Sequence, residues 1–178
     1  MTKIFSILLL FVSTISFAQN DIFNRLQAIS NNGLTFYNID GYTITSETLN
    51  YPFTEKGLKK AYRKYSIKKK DLKSKDTQLL YNNFYVFNAE EIKENLKQNN
   101  AYYFIENKEN TITIIQFSAI NKRDKEFERT IINPIIEKTI PKENFATMSI
   151  DSIDFAGRKI ELGSSCNWTN VNSVQCPY

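Results

Sequence analysis

Apolar residues recur along the chain with two periods, and the switches between them mark out the elements. Ile22, Phe23, Leu26 and Ile29 fall on one side of a helical wheel, which predicts a short helix over residues 21–30. Asn31-Asn32-Gly33 supplies turn chemistry after it, and Asp40-Gly41 a second turn between strands at 34–37 and 42–45. Thr54 can cap a helix over 54–65, with Leu58, Ala61, Tyr62 and Tyr65 at helical spacing. The pattern allows that helix to restart at Ser66 and run towards Lys73. Residues 79–87 are aromatic-rich and predict a strand. Asn88, with Glu91 three residues on, has the form of a capping box and predicts a helix with Ile92 and Leu96 inward.

Residues 101–105 and 111–120 predict the best strands, joined by a hairpin loop over 107–110. In the second strand Ile112 and Ile114 point one way, while Ile115, Phe117 and Ala119 point the other. A strand apolar on both faces belongs in the middle of a sheet covered on both sides. Residues 124–140 predict the strongest helix, with Phe127, Ile131, Ile132, Ile135 and Ile136 as its buried stripe. Asp124, Glu126 and Glu128 stand near its positive end and Lys138 and Lys142 near its negative end. Pro134 should kink or split it, because proline removes an internal hydrogen bond. A last hairpin is expected over 153–155 and 158–162, across Ala156-Gly157. Helices interspersed with hairpins indicate an α+β fold. The expectation is a mainly antiparallel sheet of five or six strands with three to four helices packed on it.

The first eighteen residues follow neither period. Lys3 precedes an apolar run, and Ser16 and Ala18 are small residues at the −3 and −1 positions of a signal-peptidase site. The run from 4 to 18 carries four hydroxyl side chains and is short of the about 20 apolar residues a bilayer crossing needs. It therefore reads as a cleaved secretory signal over 1–18. No cysteine follows it, which argues against lipid attachment. Removing 18 of the 178 residues leaves 160, enough for one domain, read as 19–163, with a C-terminal tail over 164–178. No transmembrane segment is expected after cleavage, and the destination is periplasmic or extracellular. Cys166 and Cys176 are the two cysteines, and an oxidising compartment makes one local disulfide of them. Nine residues separate them, which does not suit a CxxC redox site.

Composition mainly excludes. The chain has no histidine, so Ser-His-Asp and Cys-His nucleophile pairs and His-ligated zinc are impossible. Two thiols cannot build a four-thiolate metal site. The five glycines, at 33, 41, 57, 157 and 163, form neither a P-loop nor a GxGxxG turn. No cofactor is implied.

Charge is more informative. Residues 55–76 hold ten basic residues against three acidic ones, a net of +7, whereas the rest of the mature chain sums to −4. Lys59, Lys60, Arg63, Lys64, Lys68, Lys69 and Lys70 are the candidate binding residues, as an electrostatic face for an anion. The same run also describes the solvated outer face of a helix. The 13 Phe and 10 Tyr alternate mostly within strands and read as sheet core. Trp168, the single tryptophan, lies between the two cysteines and is either a binding tip or a cover for the disulfide. Carboxylate pairs remain an option for catalysis, but Asp151 and Asp154 lie too close to a strand start to judge, a pair across a cleft leaves no sequence signature, and no catalytic residue is assigned.

These features fit an exported, non-catalytic binding or interaction module at a bacterial envelope or outside the cell. Its partner would be an anionic envelope component or a protein; export argues against nucleic acid. The alternatives are a carboxylate-dependent envelope hydrolase without a recognisable motif, and an accessory subunit of an envelope assembly.

Overall fold

The computed structural model describes residues 22–163 and 165–177, so the expected signal over 1–18 lies outside the described residues. Six strands form one antiparallel sheet: β1 (Gln27–Asn31), β2 (Leu34–Ile39), β3 (Tyr42–Pro52), β4 (Asn83–Lys93), β5 (Leu96–Glu106) and β6 (Thr111–Ile120). Their spatial order is β1-β2-β3-β6-β5-β4. Two three-stranded meanders are thus joined edge to edge, with Ile44 opposite Phe117 and Glu47 opposite Ile114. Helix α1 (Glu55–Lys64) and the loop after it carry the chain from β3 to the far edge, where β4 begins. Helix α2 (Lys125–Glu137) follows β6.

The two helices cover opposite faces, which is why β6 is apolar on both. Ile112, Ile114 and Phe104 pack with Leu58 and Ala61 of α1. Ile115, Phe117 and Tyr103 pack with Ile131, Ile132 and Ile135 of α2. The fold is α+β but mostly sheet. Besides α1 and α2, helical structure among the described residues is one turn at 22–25 and a 3-10 turn, Lys142–Asn144.

Four sequence expectations are corrected. The helix over 21–30 is a single turn followed by β1. Asn32 and Gly33 both have positive φ, 48° and 83°, the conformation of a two-residue hairpin turn, and such a turn demands a strand on each side. The helix from Asn88 is absent: those residues form the outer half of β4, where Ala89 faces Asn99 and Glu91 faces Lys97 of β5. Pairing with a strand that arrives later overrides the local preference for helix. α1 does not restart at Ser66. Its end is a Schellman motif, with Ser66 left-handed at φ 56°, Ile67 N–H donating to the Tyr62 carbonyl and Ser66 N–H to that of Arg63. Finally, α2 is not split by Pro134; it continues to Glu137, one turn further, and ends on left-handed Lys138.

The hairpin expected near 153–162 is present as β7 (Ser152–Phe155) and β8 (Arg158–Glu161). The tail holds one more, β9 (Asn167–Asn170) with β10 (Ser173–Gln175), closed by the Cys166–Cys176 disulfide.

Candidate functional site

α1 is built to show its cations. Thr54 caps it, its side-chain oxygen accepting from Gly57 N–H at 3.3 Å. Leu58 and Ala61 are buried, and Tyr62 and Tyr65 stand edge-on to Phe104 at 4.7 and 6.3 Å between centroids. Burial pushes the Tyr62 hydroxyl up to about 12. With one face so anchored, Lys56, Lys59, Lys60, Arg63 and Lys64 must face solvent, and all five are exposed. The two flanking cations are neutralised: Lys59 by Glu55 at 2.6 Å and Lys64 by Glu47. Lys56, Lys60 and Arg63, at i, i+4 and i+7, form the central stripe and have no carboxylate partner among the described residues. A helix rises about 1.5 Å per residue, so these charges climb the stripe in steps of about 6 and 4.5 Å. The ammonium of Lys60 sits 5.4 Å from the centre of the Tyr51 ring.

The turn after α1 extends this face. Buried Ile67 pins it to the core, while Lys68, Lys69 and Lys70 are exposed and form no ion pair among the described residues. The loop is closed from within: Lys73 Nζ donates to the Lys68 carbonyl at 2.6 Å, and the Asp71 carboxylate accepts from Lys68 N–H at 2.7 Å. Lys73, half-buried, and Lys75, exposed, lie over the Tyr62 and Phe84 rings at 5.6 and 5.3 Å from their centres. Of the predicted binding residues, Lys60, Arg63, Lys68, Lys69 and Lys70 therefore remain available, and Lys59 and Lys64 are paired. Lys56 joins the available set.

The run of positive charge ends at a buried carboxylate. Asp76 is 3 % exposed and receives Arg129 at 3.0 and 3.1 Å and Lys125 at 3.2 Å. Burial alone would raise its pKa, but the hydrogen bonds from Arg129, from Gln78 N–H and from Lys125 outweigh that, and the carboxyl is held below its ordinary value. Beside it Glu128, 1 % exposed, takes a two-pronged contact from Arg123 at 2.8 and 2.7 Å and the Tyr103 hydroxyl at 2.7 Å. Both carboxylates have their oxygens occupied by cations, which suits a structural clamp between α2, β5 and the loop before β4. Sequence reading missed both. Glu128 stands at i−3 and i−4 from Ile131 and Ile132, so its inward direction was written in the spacing. Asp76 carries no such signal, because its partners are about fifty residues away.

Trp168 is half-buried on β9. Its backbone N–H donates to the Met148 carbonyl, and its side chain lines a groove of about 530 Å³ with Leu26, Ile29, Ile153 and Val171. This groove runs along the β1 edge, whereas α1 packs on β3, β6 and β5. The structure does not bring Trp168 and the basic residues together. Asp154 accepts from Gly157 N–H at 3.0 Å and so shapes the β7–β8 turn. Among the described residues no group of acidic or cysteine side chains could hold a metal ion.

Compared with known proteins, the chain has no significant match to a family model, a curated protein or a solved structure.

Proposed function

We propose that the protein is an exported, non-catalytic binding module that holds an anionic envelope component against α1 and the turn after it. The observation that carries this reading is a set of six exposed cations, Lys56, Lys60, Arg63, Lys68, Lys69 and Lys70, without carboxylate partners among the described residues, on an element anchored by its opposite face. Near an anionic surface each such cation contributes about 1 kcal/mol. Six would give roughly 6 kcal/mol, a Kd on the order of tens of micromolar. The ion pairs that occupy Asp76 and Glu128 leave neither carboxylate free to serve as base or nucleophile, which favours binding over the hydrolase alternative. Export rests on the leader and on the Cys166–Cys176 disulfide, a bond typical of oxidising compartments. No described helix is long and apolar enough to cross a membrane.

The test is charge reversal. Lys56→Glu, Lys60→Glu and Arg63→Glu together should abolish cosedimentation of the mature protein with phosphatidylglycerol vesicles or binding to an acidic polysaccharide, with the fold intact by circular dichroism. Unchanged binding by that variant overturns the reading.

A further inference from the structure

The face covered by α2 changes character along its length. Where Ile131, Ile132 and Ile135 lie on it, the sheet offers Ile39, Ile44, Ile115 and Phe117. Beyond the last turn of α2 the same strands carry hydroxyls instead. Ser30, Thr35 and Ser46 lie side by side on β1, β2 and β3, and Thr48 lies opposite Thr113 of β6. With the Tyr37 hydroxyl they floor a cleft of about 670 Å³, within the range of small-molecule sites.

Ser30 and Thr48 are exposed and Thr35 is half-buried, whereas Tyr37, Ser46 and Thr113 lie buried at the base of the cleft. Ser30 bonds Thr35 at 3.0 Å, Tyr37 bonds Ser46 at 3.3 Å and Thr48 bonds Thr113 at 3.0 Å, while Thr113 also accepts from Asn107 Nδ2 at 3.2 Å. A hydroxyl can donate once and accept twice, so each pair keeps hydrogen-bonding capacity towards the cleft. Packed shut by a longer helix, that capacity would be buried at a cost. The left-handed Lys138 ends α2 at the cleft margin and leaves the cleft open. Ile136, Ile140 and Phe145 supply an apolar wall. At the rim Lys108 is neutralised by Glu137 at 2.6 Å, Glu109 and Lys138 add one charge of each sign so that the lining sums to zero, and the helix end presented there is the negative one. The floor itself is uncharged. A neutral molecule with many hydroxyls and an apolar flank matches all of these surfaces.

We propose that this cleft binds a neutral saccharide of one or two units, hydroxyls on the sheet floor and C–H face against Ile136 and Phe145. It is a site separate from the basic face and stands without it.

The experiment is NMR chemical-shift titration of the mature protein with glucose, N-acetylglucosamine, cellobiose and chitobiose. One of them should shift the amides of Ser46, Thr48 and Thr113, saturating at millimolar concentration or below. Thr48→Val with Thr113→Val removes both partners of one bond while keeping shape, and Asn107 Nδ2, which loses Thr113, keeps its bond to Thr111 at 2.8 Å, so the fold should persist and affinity fall at least tenfold. Thr35→Val, beside Ser30 and Ser46 on the floor, serves as the second variant and should weaken binding severalfold. The Lys56→Glu, Lys60→Glu, Arg63→Glu protein should bind the sugar unchanged, which separates this site from the anion-binding face. Absence of shifts in the cleft with all four sugars, or shifts that survive both valine variants undiminished, overturns the proposal.

Discussion

Gly57 is the position where a conservative change should do the most unexpected damage. It lies in the first turns of α1, at a helical position where alanine ordinarily gains about 1 kcal/mol over glycine. The space says otherwise. A Cβ at Gly57 would stand 2.0 Å from the Pro52 carbonyl oxygen and 3.2 Å from its carbon. Carbon and oxygen meet comfortably at about 3.3–3.6 Å, so the two would have to separate by more than 1 Å. The carbonyl is not free to yield: it accepts from Thr54 N–H at 2.8 Å, next to the bond from Phe53 N–H to the Asn110 carbonyl. The helix must move instead, against the packing of Leu58 and Ala61. Overpacking a tight site costs about 1–3 kcal/mol, and backbone against backbone belongs at the upper end. After the propensity gain, Gly57→Ala should lose about 2 kcal/mol. Urea unfolding of the mature protein, with exposed Lys59→Ala as control, measures this directly. The midpoint should fall without change in slope, and Tm should drop by about 4–8 °C for a domain of this size. Because α1 carries the cation stripe, the variant should also bind anionic vesicles more weakly with its charge unaltered. An alanine variant as stable as the parent, or more so, would refute this account of how α1 is seated.

The remaining predictions concern the ionisable groups. Glu128→Gln leaves the Arg123 charge, its side chain 19 % exposed, unmatched, so unfolding should show a loss of about 3 kcal/mol, and the Arg123→Met, Glu128→Gln pair should lose less than the sum of its single changes. Asp76 is held below its ordinary value of 3.8, so its contribution is full above that pH and disappears as pH falls through the folded value; Asp76→Asn should flatten the acid limb of a stability–pH curve there. At high pH the sign reverses: Tyr62 and Tyr81 are each raised from 10.0 to about 12, so the stability they contribute is full below pH 10 and lost between 10 and 12. Tyrosinate absorbance should rise together with unfolding in that window, and Tyr62→Phe should soften the transition; independent titration of a still-folded protein near pH 10 would contradict it.

What could be read in advance depended on how far apart the interacting residues lie. The two-sided apolar pattern of 111–120 placed β6 at the sheet centre, and the spacing of Leu58, Ala61, Tyr62 and Tyr65 set the orientation of α1 and hence its outward cations. β1 and the outer half of β4 were misread, since their own residues suit helix and only a partner strand makes them extended. The turn after α1 was misread for a local reason, since Ser66 takes a left-handed conformation that glycine would have announced. At the basic face, charge was legible residue by residue, but pairing was not: Glu47 removes Lys64 from seventeen positions away. The hydroxyl cleft was invisible, because Ser46, Thr48 and Thr113 meet only once β3 and β6 are known to be neighbours.

The central claim is that the exposed stripe and turn of α1 bind an anion electrostatically, and the salt dependence of binding tests it most directly. Affinity of the mature protein for phosphatidylglycerol vesicles and for an acidic polysaccharide should be measured from low to high ionic strength. Exposed charges are screened within about 10 Å at 0.1 M salt and about 3 Å at 1 M. Binding to at least one of the two should be present at low salt and weaken more than tenfold across this range. Binding to neither polyanion at low salt, or binding that salt leaves unchanged, would contradict it.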